Sequence, residues 1–147
     1  MTVSFPVGNS LYVRNEDDPK GPRMLVDSGA CLSLWPHKSA APSTFSGLRG
    51  PNESPIAAWG TRAEEFVIDG ERFRWTFRLA DVGQVLLGSD FLSAFHLLPD
   101  VVDRCLLRMP DMRIFRADPR RTTSTVKSSK VGLINSLSLV SDKVKLI

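Results

Sequence analysis

An aspartate–glycine pair between two alternating stretches constrains the fold more than any other feature of this sequence. Residues 56–68 precede Asp69-Gly70, and residues 72–80 follow it. Such a pair is a strong short-range indication of a β-hairpin, because the tight turn needs two residues with positive φ. In the second stretch three aromatic residues alternate with arginine and threonine, which predicts one buried face. The centre of the chain is therefore expected to be a long hairpin.

Short apolar stretches separated by turn residues fill the rest of the first 117 positions. The predicted strands cover residues 10–14, 24–26, 32–35, 85–87, 105–108 and 113–115. One short helix is predicted over residues 90–96, with Ser89 as its N-cap. Many short strands with a single small helix are typical of an all-β barrel or sandwich.

Length and composition exclude several classes of protein. With 147 residues the chain is expected to form one domain. It has no apolar run near the roughly 18–20 residues of a membrane span, and its first residues lack the pattern of a signal peptide. Cys31 and Cys105 are the only cysteines, which excludes a disulfide framework and a cysteine zinc site. His37 and His96 are the only histidines, so we expect no metal cluster.

The basic charge lies at the C-terminal end of the chain. The net charge is +3, yet residues 118–147 alone carry six basic and two acidic side chains. Nine of these 30 residues are serine or threonine and none is aromatic, which predicts a flexible linker. Leu133, Leu137 and Val140 are spaced like one face of a helix, so an amphipathic segment over residues 131–147 is the alternative.

The stretch Leu25-Val26-Asp27-Ser28-Gly29-Ala30 is the first candidate for chemistry. An apolar strand delivers a carboxylate into a tight turn, where Gly29 lets the backbone approach closely. Backbone N–H groups of such a turn can anchor Asp27 at the base of a cleft. The alternative is an Asx-turn that only links two strands.

A second pattern, Val-Leu-Leu-Gly-Ser-Asp-Phe-Leu, occupies residues 85–92. It predicts a buried strand, a break at Gly88 and the start of a helix. By itself this pattern indicates only a strand and a helix that pack in the core. It points to a function only in combination with the first motif.

Four segments together resemble the retropepsin family of aspartic proteases, and most closely the protease of gypsy-type LTR retrotransposon polyproteins. Residues 24–36 are similar to the family's apolar stretch, D-[ST]-G-A and a strand ending near proline. Residues 48–62 are similar to its flap hairpin, and residues 74–82 to the W-x-F-x-x-A-D-V strand that follows. Residues 86–98 are similar to its I-L-G-x-D-F-L strand and helix. The order and the intervals match as well, over about residues 10–116.

The resemblance implies a domain plan and a set of site residues. A closed retropepsin-like barrel with one short helix is expected over residues 1–117, followed by the Ser/Thr-rich basic tail over residues 118–147. Asp27 would be the catalytic residue. The supporting active-site turn would consist of Ser28, Gly29 and Ala30. The flap would consist of Gly50, Pro51, Asn52, Glu53 and Ser54.

One D-S-G sequence supplies only half of an aspartic protease site. The chemistry needs two carboxylates around one water, and the pair shares a proton because two like charges so close cannot both ionise. Asp81-Val82-Gly83 is rejected as the second copy, because valine lacks the hydroxyl. The resemblance therefore implies a homodimer in which each protomer contributes Asp27.

Two departures from the family pattern concern the site itself. The flap usually reads Ala-Ala-Asn-Gly-Thr, so this chain has lost the tip glycine, replaced by Glu53, and gained Pro51. Cys31 occupies the position, two residues after the turn glycine, at which retroviral members often carry aspartate.

The resulting hypothesis is an aspartic endopeptidase of a retrotransposon Gag-Pol polyprotein, with no cofactor and no metal ion. Its expected partners are a second copy of the chain and an extended polypeptide, the polyprotein itself. No membrane is expected, and nucleic acid only through weak contacts of the tail. The expected location is the cytoplasm, including virus-like particles. The alternatives are a decayed or host-adopted retropepsin-like dimeric binding domain, and an unrelated β-barrel binder.

Overall fold

The computed structural model describes residues 10–119 and shows a mostly β protein with one short helix in that range. In chain order the elements are β1 (Leu11–Arg14), β2 (Arg23–Val26), β3 (Leu34–Pro36), β4 (Ala58–Ile68), β5 (Glu71–Ala80), β6 (Val85–Leu87), α1 (Ser89–Ala94), β7 (Leu97–Asp100), β8 (Cys105–Arg108) and β9 (Arg113–Arg116).

Six strands form one sheet in the order β1-β2-β6-β3-β5-β4. β6 lies between two strands that precede it in the chain, and it pairs in parallel with β2 and antiparallel with β3. All three β6 residues are buried. A strand covered on both faces needs a continuous apolar run, and Val-Leu-Leu is such a run.

The predicted hairpin is confirmed by β4 and β5. Their register pairs Phe66 with Phe73 and Ile68 with Glu71 on either side of the turn. Asp69 has a φ of +47° and Gly70 a φ of +87°. Both angles lie in the left-handed region that a tight two-residue hairpin turn requires, and aspartate and glycine reach it at low cost.

The closed barrel that was expected does not form among residues 10–119. The outer strands of the large sheet, β1 and β4, do not pair with each other, and this part of the chain hydrogen-bonds to β4 only beyond the end of β1. There the Glu16 N–H donates to the Val67 carbonyl at 2.9 Å, and the Val67 N–H donates to Asn15 Oδ1 at 2.9 Å. Because β1 has four residues and the chain then turns away, two hydrogen bonds replace a ladder.

β7, β8 and β9 form a separate antiparallel sheet. β8 and β9 were predicted, whereas β7 was not, since Leu97-Leu98 looks like the end of the preceding helix and Pro99 disfavours a strand interior. The helix is also shorter than predicted. Gly88 rather than Ser89 is its N-cap, and Phe95 is its C-cap.

One aromatic cluster joins both sheets and the helix. The Phe73 ring on β5 lies 5.6 Å from that of Phe91 on α1 and 5.7 Å from that of Phe115 on β9, measured between centroids. All three side chains are buried. The small sheet therefore packs on the same core as the large one, and the aromatic residues serve as core, as predicted.

The predicted tail falls almost entirely outside the described residues. Residues 1–9 and 120–147 lie outside, and with them the alternative of an amphipathic segment over residues 131–147. Asp118 is described, and its N–H donates to the Tyr12 carbonyl at 2.7 Å. Between residues 10 and 119, no helix has both the length and the apolar character needed to cross a membrane.

Candidate active site

Asp27 follows β2 directly and is held by backbone groups. Its N–H donates to the Leu87 carbonyl of β6 at 2.9 Å, and its carbonyl accepts from the Ala30 N–H at 3.1 Å. The Gly29 N–H donates to Asp27 Oδ1 at 3.1 Å. Only 7% of Asp27 is exposed. The turn thus has the side-chain-to-backbone bond of an Asx-turn and also presents an oriented, nearly buried carboxylate.

The other predicted turn residues have different surroundings. Ser28 and Gly29 are exposed, whereas Ala30 is fully buried.

The second sequence motif, residues 85–92, is in close backbone contact with the turn that contains Asp27. A Cβ added at Gly88 would lie 2.7 Å from the Ala30 carbonyl oxygen and 2.8 Å from that of Leu32. The Ser89 N–H donates to the same Ala30 oxygen at 2.7 Å. Glycine is therefore required at position 88 by close backbone contact, and this contact fixes the Asp27 turn against the start of α1.

A polar network behind the turn was not predicted. Ser33 Oγ donates to Asp90 Oδ1 at 2.7 Å, and the Ser33 N–H donates to Asp90 Oδ2 at 3.0 Å. Ser33 Oγ accepts from the Gly88 N–H at 2.9 Å, and only 1% of Ser33 is exposed. The network ties the strand after the Asp27 turn to α1. The one sequence indication is an aspartate in the first turn of a helix, where its charge suits the dipole.

The five residues predicted to be the flap, 50–54, form a tight turn. The Gly50 N–H donates to the Ser54 carbonyl at 2.8 Å, and the Glu53 N–H donates to the Gly50 carbonyl at 2.9 Å. Glu53 has a φ of +65°. Glu53 thus has a left-handed backbone, which suits glycine and is costly for a residue with a Cβ.

Arg78 of β5 anchors the base of the flap segment. Its Nη1 donates to the Trp59 carbonyl at 2.9 Å, and its guanidinium carbon lies 4.1 Å from the centre of the Phe45 ring. On the other side, Ser43 Oγ accepts from the Ala58 N–H at 3.0 Å. The flap turn therefore projects from a base fixed on both sides.

A cavity of about 330 Å³ lies between the flap turn and the loop after β5. Its lining includes Pro51, Asn52, Ile56, Val82, Gln84 and Leu86. Asp27 is not among the lining residues, although Leu86 belongs to the strand that pairs with β2. The cavity is thus a recess beside the Asp27 turn, lined by apolar residues and by polar ones such as Asn52, Asp81 and Gln84.

Asp81 and Cys31 are both exposed. Asp81 is exposed and its Oδ2 lies 3.1 Å from Lys38 Nζ, an arrangement that suits a surface ion pair. Cys31 is an exposed free thiol. Among residues 10–119, no group of three His, Cys, Asp or Glu side chains is placed to hold a metal ion.

Comparison with solved structures shows that the chain has a retropepsin-like fold. The retroviral protease-like domain of Ddi1 from Leishmania major is similar to it with a TM-score of 0.55 and 15% sequence identity, over 75% of this chain and 94% of that one. At this identity the similarity shows the fold alone. No protein-family model and no curated protein matches the chain.

Proposed function

We propose that the chain is an aspartic endopeptidase that works as a homodimer with one Asp27 from each protomer. The observation that supports this most is the Asp27 carboxylate, nearly buried at the end of β2 and oriented by the Gly29 N–H within a retropepsin-like fold. A single carboxylate cannot take a proton from the attacking water and donate one to the peptide carbonyl oxygen at the same time. The proposal therefore requires a second copy of the chain.

In the proposed reaction the two Asp27 side chains share one proton and hold a water between them. The ionised carboxylate takes a proton from the water, which attacks the peptide carbonyl carbon, while the protonated one donates to the carbonyl oxygen. Collapse of the tetrahedral intermediate breaks the C–N bond as the amine nitrogen receives a proton. The Gly29 N–H stabilises the carboxylate charge throughout.

The proposed substrate is an extended polypeptide covered by the turn of residues 50–54. The recess formed by Pro51, Ile56 and Val82 would take an apolar side chain of that polypeptide. On the sequence resemblance alone, we extend the proposal to the Gag-Pol polyprotein of a retrotransposon in the cytoplasm. A reverse transcriptase encoded directly downstream would support this extension, and a flanking sequence without any retroelement domain would contradict it.

The decisive experiment compares Asp27→Asn with Asp17→Asn on a peptide library. Asparagine keeps the acceptor for Gly29, so Asp27→Asn should fold and self-associate as the wild type does, yet lose at least about three orders of magnitude in cleavage rate. Asp17→Asn removes an exposed carboxylate that does not line the cavity, and this variant should cleave normally. Full activity of purified Asp27→Asn would refute the assignment.

A retropepsin-like domain that binds peptides without cleaving them is the second candidate. It is favoured by the flap, where Glu53 occupies a left-handed position at φ +65° and Pro51 stiffens the turn. In that case the wild type and Asp27→Asn would bind the same peptides with equal affinity, and neither would release products.

A further inference from the structure

β4 is the last strand of the large sheet, and only part of its outer edge is covered. Ile68 and Glu71 face each other across a two-residue turn, so their N–H and C=O groups bond to each other. From there the backbone groups of alternate β4 residues point to β5, and those of the residues between them point outward. The outward-pointing residues are Thr61, Ala63, Glu65 and Val67.

The outer edge of β4 is covered at both ends and open between them. At one end Val67 hydrogen-bonds to the loop after β1, and at the other the Ala58 carbonyl accepts from the Thr44 N–H at 2.9 Å. Within residues 10–119, no hydrogen bond from another segment reaches the outward-pointing backbone groups of residues 61–65. The three outward-pointing residues of this stretch are exposed. The stretch, called the open edge below, has room for a short added strand.

A recess of about 170 Å³ lies beside the open edge. Its apolar lining residues include Met24, Trp35 and Phe66. Its charged lining residues are three acids and one arginine, namely Asp18, Glu64, Glu65 and Arg62. The volume suits one side chain rather than a whole small-molecule ligand. Free backbone groups on a strand edge, together with a neighbouring recess for one side chain, are the features that bind an added β-strand.

The first part of the C-terminal tail has the composition of a strand that fits this site. Residues 120–127 read Arg-Arg-Thr-Thr-Ser-Thr-Val-Lys, with four β-branched residues, three basic ones and neither glycine nor proline. Their charge is opposite to that of the recess. The described chain also ends close by, since Asp118 Oδ2 lies 3.4 Å from Arg14 Nε. Arg14 in turn donates to the carbonyl of Gly21, which lines the recess.

We propose that residues 120–127 of the same chain add to the open edge as a further strand of the large sheet. Their backbone groups pair with those of residues 61–65. Val126 supplies the apolar side chain for the recess, and the basic residues of the segment meet its acidic rim. Neither Asp27 nor peptide cleavage enters this argument, so the inference does not depend on the proposed function.

The test is amide hydrogen exchange of the full chain, followed by NMR. In the wild type the Ala63 N–H should exchange at least about 10-fold more slowly than an exposed amide. Thr123→Pro combined with Ser124→Pro should abolish this protection, because proline has no N–H and one of two adjacent positions must face β4. The Glu64 N–H points to β5 and should stay protected in every variant, which shows that β4 is intact.

The matched control is the same double replacement further along the tail, Leu137→Pro with Ser138→Pro. It should leave the exchange of Ala63 unchanged, because these residues lie outside the proposed strand.

A second pair of variants tests the charges. Arg120→Glu with Arg121→Glu should speed the exchange of Ala63, and more so at low salt than at about 0.5 M, where charges are screened. Lys143→Glu with Lys145→Glu changes the net charge by the same amount outside the segment and should have no effect.

Each outcome decides the proposal. Protection of Ala63 that is lost only when residues 123 and 124 are proline supports it. Exchange of Ala63 at the rate of an exposed amide in the wild type overturns it. Protection that survives those prolines, or that rises with protein concentration, places a different partner or a second copy on the open edge and overturns it too.

Discussion

Replacing Gly88 by alanine tests whether the two sequence motifs are held in direct contact. The new methyl group would lie 2.7 Å and 2.8 Å from two backbone carbonyl oxygens, those of Ala30 and Leu32. Neither oxygen can rotate away as a side chain would, so the Asp27 turn or the start of α1 must shift by several tenths of an ångström. The shift also strains the 2.7 Å hydrogen bond from the Ser89 N–H to Ala30.

The expected cost follows from these contacts. Overpacking a well-filled site typically costs about 1–3 kcal/mol, and a weakened buried hydrogen bond adds roughly 0.5–1.5 kcal/mol. We therefore expect Gly88→Ala to lower the free energy of unfolding by about 2–4 kcal/mol. For a domain of this size that corresponds to a fall in Tm of roughly 10 °C.

The assay is urea and thermal unfolding at one fixed protein concentration, because self-association would otherwise change Tm. Gly60→Ala is the matched control, since a Cβ at that exposed strand position meets nothing within 4 Å. It should leave stability unchanged or raise it slightly. If Gly88→Ala unfolds within about 0.5 kcal/mol of the wild type, the close contact between the two motifs does not exist as described.

Three further substitutions test other parts of the molecule. Glu53→Gly should raise the free energy of unfolding by about 0.5 kcal/mol, because the left-handed φ suits glycine. Only part of this gain is lost to the greater flexibility of the unfolded chain. A lower urea midpoint would contradict the turn geometry. The hydrogen bond from Arg108 lowers the pKa of Asp111 from 3.8 to about 2. The ionised Asp111 carboxylate therefore stabilises the folded state above pH 4, and this stabilisation is lost as the pH falls through 2. Asp111→Asn should therefore reduce Tm more at pH 7 than at pH 2, and an equal reduction at both would refute the pairing. Ser33→Ala leaves the Gly88 N–H without its acceptor and should cost about 1–3 kcal/mol in urea unfolding, whereas a neutral effect would remove Ser33 from the network.

Local features of this chain could be predicted from sequence because neighbouring residues determine them. The Asp69-Gly70 turn needs only two residues that tolerate positive φ, and the alternation of β5 follows from the pleat. The turn of residues 50–54 and the turn after β2 were predicted for the same reason. The local pattern around Asp27 predicted only a turn, and Asp27 became the catalytic candidate through the resemblance of four segments to the retropepsin family.

Features that depend on distant parts of the chain could not be predicted in this way. β7 forms although Pro99 disfavours it, because β8 offers a register in which Leu98 faces Leu107. Gly88 replaces Ser89 as the N-cap because of a contact with Ala30, which no pattern within the helix reveals. The prediction of a closed barrel was wrong for a similar reason, because closure depends on how far β1 runs beside β4.

The position of β6 between β2 and β3 also has a consequence for protein synthesis. The Asp27 N–H donates to the Leu87 carbonyl, and the turn after Asp27 packs against Gly88. Both residues lie about 60 positions further along the chain. A nascent chain on the ribosome therefore lacks an ordered carboxylate until β6 and α1 have emerged. The Asp27 carboxylate therefore gains its backbone and packing partners late, after about three quarters of residues 10–119 have been synthesised.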